Sequence, residues 1–150
     1  MNTTKKVLLV VLALAISVAS VLGLMACKQG EAIPETEIIL TVDSSVMADI
    51  DGKSLADYMA ALKEKNKLSY EGSVEEWGLY VQTINGRTID PKTEYWALYT
   101  DDADFSNEAY GTYKATNGKT YAMAGVGASS LMLKEGKTYI WVVQLLEPMA

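Results

Sequence analysis

Histidine is absent from the 150 residues, cysteine and phenylalanine occur once each, and proline three times. Without histidine the chain lacks the one side chain that normally titrates near neutrality and the commonest imidazole metal ligand. Catalysis by a serine or cysteine nucleophile with a histidine base is therefore excluded. A single cysteine permits no internal disulfide, even in an oxidising compartment. Positive charge is also scarce, because 13 Lys and Arg stand against 19 Asp and Glu, a net charge of −6. That balance disfavours nucleic acid as a partner and offers no polybasic grip on anionic lipid. Any membrane attachment must come from another source.

That source is placed by the single cysteine. A short positive leader with Lys5 and Lys6 precedes the apolar run Val7–Leu22, interrupted only by Ser17 and Ser20. As a helix this run spans about 24 Å at ~1.5 Å per residue, short of a hydrocarbon core of roughly 30 Å. Continuation through Ala26 just reaches across, so a retained transmembrane anchor is the alternative; the order of leader, apolar run and small residues fits a signal peptide better. The end of the run, Leu24-Met25-Ala26-Cys27, resembles the lipobox of bacterial lipoproteins, in which the cysteine thiol receives a diacylglycerol and becomes the first mature residue. The expected organisation is a signal peptide over 1–26, a lipidated tether over 27–36 and one folded domain over 37–150. Removal of 1–26 leaves 124 residues and a net charge of −8, enough chain for one core that buries roughly two thirds of its unfolded surface. The nine residues from Lys28 to Thr36 reach at most about 30 Å, which keeps the domain near the extracytoplasmic face of the membrane.

Patterning predicts the elements. Glu37–Val42 is rich in β-branched residues and reads as a first strand. Asp51-Gly52 marks a turn, Ser54 and Asp57 form a capping pair, and Leu55, Tyr58, Met59 and Leu62 recur at helical spacing. Lys63, Lys65 and Lys67 suit the helix C-terminus, and a solvated helix end is preferred there to an anion site. A Glu71-Gly72 turn, a strand over Trp77–Ile84, an Asn85-Gly86 hairpin and a brief return over Arg87–Ile89 follow. Glu94–Thr100 is bulky on both faces, as a central strand would be. Asp101–Gly118 is the least regular segment, ending in an Asn117-Gly118 turn. Tyr121–Met123 reads as a short strand and Gly125-Val126-Gly127 as a turn without a dinucleotide fingerprint. Leu131–Leu133 and Lys137–Leu146, joined by Glu135-Gly136, read as a closing hairpin. Its last strand has Tyr139, Trp141, Val143 and Leu145 on one face and Ile140, Val142, Gln144 and Leu146 on the other.

The order strand, Gly-Lys-Ser-Leu opening a helix, Tyr80-Val81-Gln82-Thr83-Ile84-Asn85-Gly86, Tyr95-Trp96 and a final Lys-Glu-Gly before an apolar strand resembles the transcobalamin and intrinsic-factor C-terminal-like domain. That family is of unknown function and common in Gram-positive surface proteins and lipoproteins; the similarity spans roughly Glu37 to Leu146. It implies an α+β fold of the β-grasp-like kind, one helix packed on a mainly antiparallel sheet. It also implies ligand capture, with cobalamin or another corrinoid as the sharpest candidate and no cofactor required. The animal vitamin carriers supply a second, helical domain on the other side of the ligand, which nothing here provides. The long segment Asp101–Gly118 departs from the family's short turn at that place.

Two constellations remain. Asp101, Asp102, Asp104 and Glu108, with Asn107, carry oxygen ligands suited to calcium but lack the glycine and terminal glutamate of an EF-hand loop. A solvated acidic loop is the preferred reading, with no metal site. Neighbouring acids in sequence are also poor evidence for a glycosidase pair, and no enzyme activity is expected. Trp77, Tyr80, Tyr95, Trp96, Tyr99, Tyr110 and Tyr113 are the candidate ligand-binding residues, because aromatic faces give large contact area at low entropic cost. With one phenylalanine in the chain, about half of them must also fill the core. The expectation is a binding lipoprotein that captures a small ligand or docks on a membrane transporter. The alternative is a protein or glycan interaction module without a small-molecule pocket, whose partner is a surface protein.

Overall fold

Residues 35–148 are described by the computed structural model, so Cys27 and the expected signal peptide lie outside the described residues. In chain order the elements are β1 (Glu37–Thr41), α1 (Leu55–Glu64), β2 (Tyr70–Glu75), β3 (Gly78–Ile84), β4 (Arg87–Thr88), β5 (Glu94–Thr100), a 3-10 turn (Glu108–Tyr110), β6 (Thr112–Lys114), β7 (Thr120–Met123) and β8 (Thr138–Leu145). Among the described residues one helix accompanies two sheets, ordered β1-β8-β5-β7-β6 and β2-β3-β4. Every strand pairing is antiparallel, so the protein is α+β.

Two central strands organise the packing, and both were legible as bulky on each face. On β8, Tyr139, Trp141 and Val143 join Trp96 and Leu98 of β5 and Ile38 and Leu40 of β1 in the main core. On the opposite face Ile140 and Val142 join Ala97, Tyr99, Ala115 and Tyr121 in a smaller one. Strict alternation along an extended backbone puts successive side chains on opposite faces, which is why one sheet serves two cores. Helix α1 covers the main core with Leu55, Tyr58, Met59 and Leu62, all buried. Each such side chain contributes about 1.5–3 kcal/mol when removed from water. The Tyr58 hydroxyl also donates to the Thr41 carbonyl at 2.9 Å and accepts from the Asp43 N–H at 2.9 Å, which ties the helix to the end of β1.

The helix start is a capping box. Ser54 Oγ accepts from the Asp57 N–H at 3.2 Å, and Asp57 Oδ2 accepts from the Ser54 N–H at 2.8 Å. Those bonds satisfy two backbone donors that a helix N-terminus otherwise leaves unpaired, and they hold the Asp57 carboxyl below its usual pKa range. Ser54→Ala is expected to cost about 1 kcal/mol, read as a lowered urea midpoint at unchanged slope. At the other end Lys63 donates to the Tyr70 carbonyl at 2.9 Å and lies over the Tyr70 ring, while Lys67 sits 4.0 Å from Asp43. These lysines are engaged with the fold rather than gathered into an anion site.

Three local expectations are corrected. Glu71-Gly72 is not a turn but a bulge inside β2; a Cβ on Gly72 would stand 2.1 Å from the Tyr80 carbonyl oxygen, so the glycine serves close strand approach. The turn lies instead at Glu76-Trp77, which removes Trp77 from the strand and starts β3 at Gly78. Leu131–Leu133 forms no strand, only a single bridge from Met132 to Ser54, because its backbone serves the helix start: Leu131 O accepts from the Leu55 N–H at 2.9 Å and the Leu133 N–H donates to the Lys53 carbonyl at 2.8 Å. The segment Asp101–Gly118, expected to be irregular, contains the 3-10 turn and β6. The Asn85-Gly86 hairpin forms as expected, with φ of 45° and 81°.

Edge strands β1 and β6 stand at opposite ends of the five-stranded order, yet side chains join them. The Tyr113 hydroxyl donates to Glu37 Oε2 at 2.6 Å, and the Thr116 N–H donates to the same carboxylate at 3.1 Å. The sheet therefore curls around its smaller core until its two edges meet.

Candidate functional site

Four of the seven aromatic candidates, Trp77, Tyr80, Tyr95 and Trp96, line one groove of about 300 Å³. Its walls come from the β2–β3 hairpin, from β5, and from Met123 to Ala128 after β7, with Trp141 of β8 contributing to the lining. Trp77 is 66% exposed at the hairpin tip and meets Tyr80 edge to face at 5.9 Å between ring centroids. Trp96 is buried, and its indole N–H donates to the Gln82 carbonyl at 3.2 Å. Tyr95 donates to the Gln144 amide oxygen at 3.3 Å, and Gln144 Nε2 donates onward to the Tyr99 hydroxyl at 2.7 Å.

The hairpin is held in place from across the groove. Ser129 Oγ accepts from the Leu79 N–H at 3.0 Å. Gly78 has φ of 117°, and a Cβ there would lie 2.9 Å from Ser129. Glycine is thus required both for the backbone conformation and for the approach.

The other three candidates do not reach the groove. Tyr99 is buried in the smaller core, where burial first and the neighbouring Tyr95 second push its phenol pKa up. Tyr113 packs on it at 5.4 Å between centroids. Its pKa is pushed up to about 12, chiefly by the hydrogen bond to Glu37. Tyr110 is exposed on the 3-10 turn, its ring beside Gly125. Conversely, Trp141 belongs to the groove and was read only as a strand residue. Its buried indole N–H has no hydrogen-bond partner among the described residues. Pairing of Trp141 with Leu98 across β8 and β5 sets it beside Trp96 on one sheet face, a signal visible only once the strand order is known.

Asp101, Asp102 and Asp104 are engaged by the fold, while Glu108 is exposed. Asp102 is buried, and its Oδ1 accepts from Lys134 Nζ at 3.0 Å. The same lysine pairs with Asp104, and these two carboxylates raise its pKa. Asp101 Oδ1 accepts from the Thr138 N–H at 2.9 Å, and Asn107 Oδ1 caps the 3-10 turn. Among the described residues no group of three His, Cys, Asp or Glu side chains is arranged to hold a metal. A larger concavity of about 490 Å³ lies along Thr41–Ser44, Met47 and Ile50, but it has no aromatic wall, and Asp43 there accepts from the Ser45 N–H at 2.8 Å within its own loop. The smaller, aromatic groove has the lining expected of a recognition site.

No protein-family model matches this chain, and no curated protein matches it.

Proposed function

We propose that the protein is a lipid-anchored extracytoplasmic binding lipoprotein with a β-grasp-like domain, which captures a small ligand in the aromatic groove or docks through it on a membrane transporter. The observation that carries this reading is the convergence of Trp77, Trp96 and Trp141, all the tryptophans of the chain, on one groove. Aromatic side chains bring large apolar area with few rotatable bonds, so a site built from them binds without much ordering. At about 300 Å³ the groove sits at the small end of ligand sites. A corrinoid would be gripped along one edge, with its remaining surface left for a second protein. No catalytic step is assigned to the site.

Because every tryptophan lines the groove, intrinsic fluorescence reports its occupancy. The full chain carried in lipid nanodiscs is expected to change its tryptophan emission on titration with N-phenyl-1-naphthylamine, a neutral planar dye, and to perturb the visible absorption of cobalamin. Unchanged emission with the dye, together with no spectral change and no heat of binding with cobalamin, sinks the small-ligand reading.

The anchor is tested separately. Cys27→Ser is expected to abolish lipid labelling and to leave the leader uncleaved, seen as a protein of higher mass. Continued lipid incorporation in that variant removes the lipoprotein reading.

A further inference from the structure

We infer that the groove is a strand-addition site, occupied by an extended segment of a partner protein that carries apolar and basic side chains. This deepens the binding reading above and depends on the groove being the binding site. The first observation is that four consecutive residues of β5, Tyr95 to Leu98, line the groove. Side chains of a strand alternate between faces, so four in succession line one cavity only where the strand presents its edge.

That edge is open. β5 pairs with β8 from Glu94 to Thr100, but with β7 only at Tyr99 and Thr100. Beyond that point the last backbone contact on the β7 side is the Ala124 N–H donating to the Leu98 carbonyl at 2.8 Å. In an antiparallel strand alternate residues direct their N–H and C=O to the same neighbour. Trp96 therefore turns its backbone donor and acceptor to the side that Leu98 uses, where β7 no longer continues. A strand entering there can exchange a pair of bonds with Trp96 and extend the five-stranded sheet, as in recognition by β-augmentation.

The second observation is the buried indole N–H of Trp141, a donor without an acceptor among the described residues, on a ring that contributes to the lining of the same groove. A peptide carbonyl supplies that acceptor. A flat hydrocarbon ring does not, and its binding would leave this donor and the Trp96 backbone groups unpaired. The third observation is charge: Glu75 and Glu76 are exposed beside Trp77 at the hairpin tip, on a domain that is acidic overall. A lysine or arginine on the incoming strand meets those carboxylates and the exposed Trp77 ring together.

The test uses the full chain in nanodiscs and a pool of acetylated, amidated eight-residue peptides in which Lys or Arg alternates with Val, Leu or Tyr. Peptides retained from the pool are expected to change tryptophan emission and to move the Trp141 indole N–H resonance downfield. Methylation of alternate backbone nitrogens on the edge that faces β5, or replacement of the basic residues by Glu, is expected to weaken binding by tenfold or more. Trp77→Ala, at an exposed position, is expected to weaken it as well. No retained peptide, equal binding of the N-methylated forms in both registers, or an unmoved Trp141 resonance overturns strand addition. If the planar dye still binds in a Trp77-dependent way under those outcomes, the groove remains a small-ligand site and only the peptide inference falls. If the dye fails too, both fall.

Discussion

Trp77→Ala is expected to leave the unfolding free energy within about 0.5 kcal/mol of the parent, whereas Trp96→Ala is expected to lower it by about 3–5 kcal/mol. Both residues line the same groove, and the difference follows from where each buries its ring. Trp77 sits at a hairpin tip, 66% exposed, so its removal opens little cavity and exposes little that water did not already touch. Trp96 is 7% exposed, and its loss would leave a cavity in the main core and strip the Gln82 carbonyl of its indole donor. For binding the expectations run differently. Trp77→Ala removes a wall whose exposed face gains contact when the groove is filled, so affinity for the planar dye should fall by roughly tenfold or more, the range of an aromatic anchor worth over about 1.4 kcal/mol. Urea unfolding followed by far-ultraviolet circular dichroism, paired with dye titration on each variant, separates the two effects. A Trp77→Ala protein that binds dye like the parent would remove the hairpin tip from the site.

How much of this was visible in the sequence depends on the range of the interaction. The capping box of Ser54 and Asp57, the helix face Leu55, Tyr58, Met59 and Leu62, and the alternation along β5 and β8 are patterns within ten residues, set by the periods of helix and strand. They were read correctly because local geometry alone dictates them. Glu71-Gly72 misleads locally because glycine marks a bulge as readily as a turn, and only the strand opposite decides between them. Trp77 reads as a strand residue because bulky aromatic residues favour strands; the neighbouring Gly78 is the local mark of the turn, and its φ of 117° bears this out in the structure. The groove itself is assembled from segments near residues 77–81, 95–98, 123–128 and 141. Their meeting depends on the strand order, with β8 and β5 brought together at the middle of the sheet, and no local pattern encodes that order. Thus Trp77, Tyr80, Tyr95 and Trp96 could be proposed from residue type, while Tyr99 and Tyr113 could not be told from them before the two faces of the sheet were assigned.

Those two tyrosines belong to the closure of the sheet, and Glu37 is its keystone. Its carboxylate accepts from the Tyr113 hydroxyl, from the Thr116 N–H and from the Thr116 hydroxyl, contacts that bridge 76 and 79 positions of sequence. Glu37→Ala leaves those donors without their acceptor and is expected to cost about 1.5–3 kcal/mol, the scale of hydrogen bonds to a charged group. The same contacts make stability depend on pH at both ends. Burial alone would raise the Glu37 pKa, but its bonds from Thr116 and Tyr113 outweigh that and hold it below the usual range. A depressed carboxyl contributes fully above its unfolded pKa of about 4.3 and loses its contribution as pH falls through the folded value. Tyr113 is displaced the other way, to about 12, from an unfolded value of about 10. Its contribution is complete below about pH 10 and is lost as pH rises through the folded value. Glu37→Gln should flatten part of the acid edge, which Asp57 shares, and should bring the Tyr113 phenol back toward its ordinary pKa because the carboxylate is the first cause of its displacement. Urea midpoints measured from acid to alkaline pH, together with a tyrosinate absorbance titration of parent, Glu37→Gln and Tyr113→Phe, check both edges. A parent whose tyrosines titrate like those of Glu37→Gln would show that the carboxylate does not hold the edges of the sheet together.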